Sequence, residues 1–189
     1  VLVLLFLSCS KTEKLNDFSL RVEVNGLKKG TLYLEKFNDS TLFKTDSAFF
    51  KGNNSVEFKG KIENPEMMIL SLSYENESKP KQFPFFVENS DMIVKTRLKD
   101  FGYKVYSVGS KNDSIFRKYL EINKKFNNEK LDLISKSLEF KKFKNNDSIT
   151  LYDDKLLTLN KRQFLHNANF ALRHSGYTIA PYIAVTDLR

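Results

Sequence analysis

The sequence predicts an α+β fold, with an N-terminal antiparallel β-sandwich or open barrel followed by a helical segment. Between residues 18 and 108, apolar and polar residues alternate in short runs separated by Asn, Gly, Asp and Pro, which is typical of half-buried strands and turns. From residue 112 onward the apolar spacing becomes helical. The chain has 17 Phe and 8 Tyr but no Trp, and Phe-rich alternation favours a sheet core.

The β-rich half is expected to contain eight strands. Asn64 and Pro65 end the fourth, because proline cannot donate a hydrogen bond to a ladder. Residues 89–91, Asn-Ser-Asp, predict a three-residue hairpin connection between the sixth and seventh strands. Short strands at this spacing are typical of sandwiches and open barrels. The predicted strands are residues 18–24, 31–37, 42–50, 56–62, 67–74, 83–88, 92–98 and 104–108.

The helical half begins at Asp113 or Ser114, either of which suits a helix N-cap. Residues 127–128, two asparagines, are expected to interrupt this helix. Further helices are predicted at 129–143, at 148–173 behind the turn 145–148, and at 177–185 with a proline in the first turn.

The first ten residues predict where the protein is located. Seven apolar residues are too few to span a bilayer, which takes about 20, but suit the apolar core of a secretory signal. Ser8 and Cys9 follow, and this pattern resembles the lipobox of bacterial lipoproteins, in which the cysteine is lipidated. The alternative is a buried strand with an inert thiol at Cys9.

With this resemblance, the predicted strands and helices divide the chain into four segments: a signal and lipobox at 1–10, a tether at 11–17, a β-sandwich at 18–110 and a helical connector at 111–189. The membrane is then a partner through the lipid anchor. Since Ser10 and Lys11 begin no acidic run, the resemblance implies an outer-membrane anchor facing the periplasm of the cell envelope. The last helix reaches Arg189 without a capping signal, so we expect the connector to be truncated at its C-terminal end.

Charge and cysteine content exclude several functional classes. The net charge of +8 fits nucleic acid, an anionic membrane surface or a solvated surface. Export excludes nucleic acid, and the helices carry no dense basic stripe, so we interpret the charge as a solvated surface with a weak bias toward the membrane. With a single cysteine, the chain carries neither a disulfide nor a Cys-x-x-Cys motif.

Four groups of motifs occur in a recognisable order: residues 27–34, residues 45–52 with 58–65, residues 85–91 and residues 108–113. Together they resemble domain of unknown function 4369 over about residues 18–115. This domain commonly precedes a thioredoxin-like domain in lipoproteins of the Bacteroidetes related to thiol–disulfide oxidoreductases, and the helical remainder resembles the linker before that domain. The Trp-Cys-x-x-Cys site of those relatives is absent from this sequence.

Candidate catalytic or ligating residues are few. His166 and His174 lie eight residues apart and do not align on one helix face as metal ligands would, so we expect surface or partly buried histidines. Residues 153–154, both Asp, predict a solvated helix face. Glu88 and Asp91 flank the predicted hairpin, where turn geometry explains them better than an acid–base pair. No cofactor or metal is predicted.

Four Asp-Ser pairs resemble the O-glycosylation sequon of exported Bacteroidetes proteins, with acceptors Ser40, Ser47, Ser114 and Ser148. Asp-Ser is also a good turn and cap pair, and residues 46–48 are expected to form a turn at a strand edge.

Three functions therefore compete. The first is a membrane-tethered, non-catalytic β module whose connector holds a thioredoxin-like redox domain or partner. The second is a stand-alone periplasmic lipoprotein that binds a protein or small molecule through the sandwich. The third is an enzyme with an unrecognised site.

Overall fold

The computed structural model describes residues 17–38, 41–75, 77, 79–143 and 146–188. The N-terminal part is built of strands and the C-terminal part of helices, so the predicted α+β class is confirmed. A 3₁₀ turn at Leu98–Asp100 precedes the last strand. The elements are β1 (Asp17–Asn25), β2 (Lys29–Asn38), β3 (Thr41–Lys51), β4 (Ser55–Lys61), β5 (Glu66–Ser73), β6 (Lys81–Val87), β7 (Asp91–Arg97), β8 (Tyr106–Val108), α1 (Lys111–Lys142), α2 (Asn146–Arg173) and α3 (Ile179–Asp187).

The strands form two four-stranded sheets that share one apolar core. The first sheet has the order β4-β1-β7-β8 and the second β3-β2-β5-β6. On β1, every second side chain from Phe18 to Val24 is buried, as the period-2 pattern predicts. These side chains pack with the buried leucines of β2 and β5, such as Leu32 and Leu70, from the second sheet. The domain is therefore a β-sandwich.

One strand pair departs from the predicted antiparallel arrangement. β1 lies in the middle of its sheet, antiparallel to β4 but parallel to β7, with Ser19 opposite Asp91 and Asn25 opposite Arg97. All other strand pairs are antiparallel within the described residues. Before it forms this parallel pair, the chain crosses from the second sheet, which holds β6, to the first sheet, which holds β7.

The predicted hairpin over residues 89–91 is therefore wrong. β6 pairs with β5 in the second sheet, whereas β7 pairs with β1 and β8 in the first. The turn residues reverse the chain as expected, but Phe85 on β6 and Met92 on β7 both point into the core from opposite sheets. Turn chemistry indicates where a chain reverses and not which strands pair afterward.

The predicted turn over residues 46–48 is also wrong, since these residues lie inside β3. The β2–β3 register shifts between Leu34 and Glu35, where Thr45 is the extra residue of a bulge. The Thr45 hydroxyl donates to the Leu34 carbonyl at 2.8 Å. Asp46 and Ser47 directly follow this bulge on β3, which is an edge strand. Polar residues that are common in turns are also tolerated at such an irregular, exposed position of a strand.

The helices differ from the prediction at the start and in the middle of α1. Its N-cap is Ser110, whose hydroxyl accepts from the Asp113 backbone N–H at 3.0 Å, so neither Asp113 nor Ser114 is the cap. The expected interruption at residues 127–128 is absent, because α1 is continuous for 32 residues. The predictions for α2 and for α3, with Pro181 in its first turn, are confirmed. No helix in the described part of the chain is both long and apolar enough to cross a membrane.

Candidate functional site

The junction between the sandwich and the helices is the most elaborately built region of the described structure. β6 is apolar on both faces: Phe83, Phe85 and Val87 enter the sandwich core, whereas Phe86 points outward and is covered by helices. We call the apolar residues around it the junction cluster. Its members are Phe86, Ile115, Phe116, Tyr119, Phe170, Ala171, Ile179, Ala180 and Ile183.

Three aromatic rings from three elements meet at the centre of this junction. Phe86 of β6, Phe116 of α1 and Tyr182 of α3 lie with ring centroids 5.5, 6.0 and 5.6 Å apart, each pair nearly perpendicular. Edge-to-face pairs contribute about 0.5–1.5 kcal/mol each beyond the area they bury. The aromatic contacts therefore fix α1 and α3 against the sheet.

A buried carboxylate lies beside these rings. Asp113 is completely buried and accepts from Arg117 at 3.0 Å through Nε and at 2.9 Å through Nη2. It also accepts from the Ser107 hydroxyl at 2.5 Å and from the Phe86 backbone N–H at 3.3 Å. Arg117 Nη2 donates in addition to the Pro84 carbonyl at 2.5 Å. We call this set of contacts the Asp113 hub, and it joins β6, β8 and α1.

A second carboxylate holds the first turn of α1. Glu88 accepts from the Lys111 backbone N–H and, at 2.8 Å, from the Asn112 side-chain amide. A carboxylate is favoured at this position because the helix N-terminus carries partial positive charge. The Asn112 side-chain oxygen in turn accepts from the Ile179 backbone N–H at 3.3 Å, which links α1 to the start of α3.

The other end of α3 is tied to α1 by a phenol. The Tyr119 hydroxyl donates to the Asp187 carboxylate at 2.5 Å. Burial, followed by this hydrogen bond, raises the pKa of Tyr119 well above its usual value, and burial likewise raises the pKa of Tyr182. Both phenols therefore stay neutral and act as structural donors and packing groups.

A polar seam connects α1 to α2 beyond the junction. Gln163 of α2 donates to the Asn123 side-chain oxygen at 2.8 Å and accepts from Lys130 Nζ at 3.2 Å. Asn123 also donates to the Asn167 side-chain oxygen at 3.2 Å. These contacts hold α1 on both sides of residues 127–128.

The outer face of the first sheet carries a shallow groove of about 470 Å³. Two of its lining residues, Glu23 and Lys95, form a salt bridge of 3.0 Å, and exposed Tyr106 and Arg97 also line it. Aromatic and charged side chains in one concavity are suited to a polar ligand with an apolar face. The sequence did not indicate this groove, because β1, β7 and β8 are far apart in the chain.

The profile of a family described as "Domain of unknown function (DUF4369)" matches residues 18–116. The chain belongs to this family. No curated protein matches the chain, and no solved structure matches it.

The DUF4369 match covers the sandwich from the second residue of β1 onward and ends in the second turn of α1. It contains Glu88, Ser107 and Asp113 of the junction. Arg117 and the remaining helices, which complete the Asp113 hub and the junction cluster, follow the match. The likeness to domain 4369 that the motifs indicated is thereby confirmed over almost the predicted range.

The histidines lie outside the DUF4369 match: His166 is on α2, and His174 directly follows its last residue. His166 packs beside Phe126 at 5.6 Å, and burial, with a smaller contribution from the Arg173 charge, lowers its pKa. His174 stacks on Phe170 at 4.3 Å, and its Nδ1 lies 2.8 Å from the Phe170 carbonyl. Both are partly buried and belong to the packing of α2. Within the described ranges, no three His, Cys, Asp or Glu residues are grouped to hold a metal.

The acidic candidates serve structural contacts. Glu88 accepts two hydrogen bonds from the first turn of α1, so these structural contacts account for its carboxylate. Asp153 and Asp154 are exposed on α2, as predicted, and Asp153 accepts from the Ser137 hydroxyl at 3.0 Å.

The predicted modification sites differ in accessibility. Cys9 and Ser40 lie outside the described residues. Ser47 is exposed on β3, whereas Ser114 is partly buried and donates to the Ser110 carbonyl at 2.8 Å. Ser148 is partly buried in the first turn of α2. Glycosylation of these serines stays a prediction, and Ser47 presents the most accessible hydroxyl among the three that the structure describes.

Proposed function

We propose that this protein is a non-catalytic, membrane-tethered β module whose helices hold and orient a thioredoxin-like thiol–disulfide oxidoreductase domain. The Asp113 hub is the observation that carries the proposal. A buried ion pair has a specific geometry and is costly to break, so it holds α1 in one orientation relative to the sandwich. A linker that served only as a spacer would not need a fixed orientation. The hub and the junction cluster instead fix the direction in which α1 leaves the sandwich.

The tether and the location are part of the same proposal. Cys9 is the lipidated residue, and the predicted tether of residues 11–17 leads into β1, which begins at Asp17. The sandwich then lies on the periplasmic side of the outer membrane. Two or more acyl chains are needed for stable anchoring, because each buried CH₂ adds only about 0.8 kcal/mol. The resemblance of residues 1–10 to a lipobox supports the lipid anchor. Membership of the DUF4369 family supports the redox domain, because the lipoproteins that this chain resembles carry that family's domain before a thioredoxin-like domain.

A second candidate function is favoured by the groove on the first sheet. Its exposed Tyr106, beside Lys95 and Arg97, suits a small polar ligand or the side chains of a partner protein. In this alternative the protein is a stand-alone periplasmic lipoprotein that binds through the sandwich, and the helices serve another purpose.

Intact mass measurement of the native protein extracted from membranes separates the two functions. The first predicts acyl chains on Cys9 and a polypeptide heavier than residues 9–189 by about one small domain of 100–150 residues, with a Cys-x-x-Cys peptide in its digest. An acylated species of residues 9–189 alone would favour the stand-alone lipoprotein. A species without acyl chains would contradict the tether in both.

A further inference from the structure

Beyond the junction, α1 and α2 form a long hairpin with an unusually small interior. Among the described residues from 124 to 162, only Ser137 and Leu159 are buried. Several large apolar side chains between residues 131 and 164 are exposed instead. Five of these form what we call the hairpin face: Leu131 (65% exposed), Ile134 (38%), Leu138 (53%), Leu157 (54%) and Phe164 (50%).

These five residues share one side of the hairpin. At about 100° per residue, the three on α1 lie within about 60° of one another, and the two on α2, one heptad apart, within about 20°. Glu129 and Arg162, which join α1 to α2 by a salt bridge of 3.7 Å, lie on roughly the opposite side of each helix. The salt bridge therefore marks one face of the hairpin and the apolar residues occupy the other.

The middle of the hairpin face can be located along the two helices. Leu131 and Leu138 lie on either side of Ile134 along α1. The contacts of Ser137 with Asp153 and of Lys130 with Gln163 place Ile134 level with about Leu157 on α2. A two-fold axis at this level would place the half of the face that includes Leu131 against the half that includes Leu138 in a second molecule.

Charged residues beside the face are centred at the same level. Asp154 and Lys161 are exposed on α2, seven residues apart, with their midpoint next to Leu157. Both lie within about 60° of Leu157 around the helix. If α2 packs antiparallel to the α2 of a second molecule about this midpoint, each Asp154 faces the Lys161 of the other copy.

The size of the face also suits a symmetric dimer. Taking about 200 Å² for a fully exposed large side chain, the five residues present about 500 Å² of apolar surface. A standard interface buries about 800 Å² per partner, of which about 65% is apolar in homodimers. We propose that the hairpin face is the interface of a homodimer, in which two hairpins pack face to face as an antiparallel four-helix bundle. A two-fold axis makes such an interface self-complementary.

Sedimentation equilibrium of the full chain tests this proposal. The wild type is expected to be a dimer at protein concentrations of about 1–100 µM. Leu157→Glu should weaken dimerisation by at least about 100-fold, because the symmetry buries the introduced charge twice. Leu151→Glu is the matched control, since Leu151 is 51% exposed and lies about 120° from Leu157 around the same helix. It should change the dissociation constant by less than about twofold.

Charge exchange provides a variant that leaves the apolar face intact. Asp154→Lys should weaken the dimer by about tenfold, because it brings like charges together at two symmetric positions. Adding Lys161→Asp should return the dissociation constant to within about twofold of the wild type. Far-UV circular dichroism checks that each variant keeps its helices, and all variants share the same N-terminal segment.

Three outcomes would overturn the proposal. One is a wild-type chain that stays monomeric at about 100 µM, even if it binds lipid vesicles or another protein. The second is an equal effect of Leu157→Glu and Leu151→Glu on association. The third is a double charge exchange that fails to restore the dimer. None of these results bears on the acyl chains or the mass that test the proposed function.

Discussion

Removal of the Asp113 carboxylate is predicted to destabilise the protein strongly. The Asp113→Ala variant would leave the Arg117 guanidinium, largely shielded from solvent, without its counter-ion. The Ser107 hydroxyl and the Phe86 backbone N–H would lose their acceptor at the same time. These groups lie between sheet and helices, where water does not easily replace a lost partner.

The expected loss in the free energy of unfolding is about 3–5 kcal/mol, the usual cost of removing one partner from a buried ion pair. Asp113→Asn should cost less, because the amide oxygen still accepts one hydrogen bond while the amide nitrogen faces Arg117. The matched control is Asp132→Ala on the same helix. Asp132 also pairs with a cation four residues later, Lys136 at 2.9 Å, but both side chains are exposed. Its removal should cost less than about 0.5 kcal/mol.

Urea denaturation followed by far-UV circular dichroism measures these differences. The three variants should rank Asp132→Ala, Asp113→Asn and Asp113→Ala in order of increasing loss. The reasoning fails if the free energy of unfolding of Asp113→Ala lies within about 1 kcal/mol of the wild-type value. The buried ion pair would then contribute no more to stability than an exposed one.

Three further predictions concern the core, a turn and pH. Phe86→Ala should lower the free energy of unfolding by about 3–5 kcal/mol in urea titrations, because it opens a cavity in the junction cluster; a loss below about 1 kcal/mol would contradict that packing. Gly109→Ala should lower the melting temperature far more than Gly52→Ala. Both glycines have a positive φ, so both substitutions strain the backbone. Only at Gly109 would the new Cβ also overlap a backbone carbonyl of β7, since the space beside Gly52 is open. Burial lowers the pKa of His166 in the folded protein below its ordinary 6.5, so acidification through and below about pH 6.5 adds a proton preferentially to the unfolded chain and reduces stability. His166→Phe should flatten this dependence in urea titrations at several pH values, and an unchanged slope would refute the assignment.

Strand positions could be read from the sequence because alternation records which side chains are buried. Phe18 to Val24 on β1 and Met92 to Thr96 on β7 follow it closely. The pairing of these two strands could not be read, since any two half-buried strands present equivalent backbone groups. Which sheet β7 joins depends on the whole core, and the local turn at residues 89–91 is compatible with either outcome.

The continuity of α1 was missed for a related reason. Asparagine is a poor helix former, by a few tenths of a kcal/mol relative to the better residues, so the pair at 127–128 indicated a break. Gln163 of α2 contacts Asn123 before the pair and Lys130 after it, and this packing outweighs the local preference. Tertiary contacts of this kind are not visible in a single sequence.

The Asp113 hub left a partial signal in the sequence. Asp113 and Arg117 are spaced i,i+4 on a helix, and Ser110 lies three residues before Asp113 as in a capping box. These spacings would have indicated an N-cap at Ser110 and an ion pair. The burial of the pair could not be predicted, because it results from Ser107 and β6 closing over it.

The central position of β1 has a mechanical consequence. A load that pulls Asp17 away along the strand axis acts on a strand held on both sides, by seven residue pairs with β4 and seven with β7. Such a load must shear both ladders together, whereas a strand at a sheet edge would be released from one ladder alone. A domain attached through this end is therefore built to keep its shape under tension.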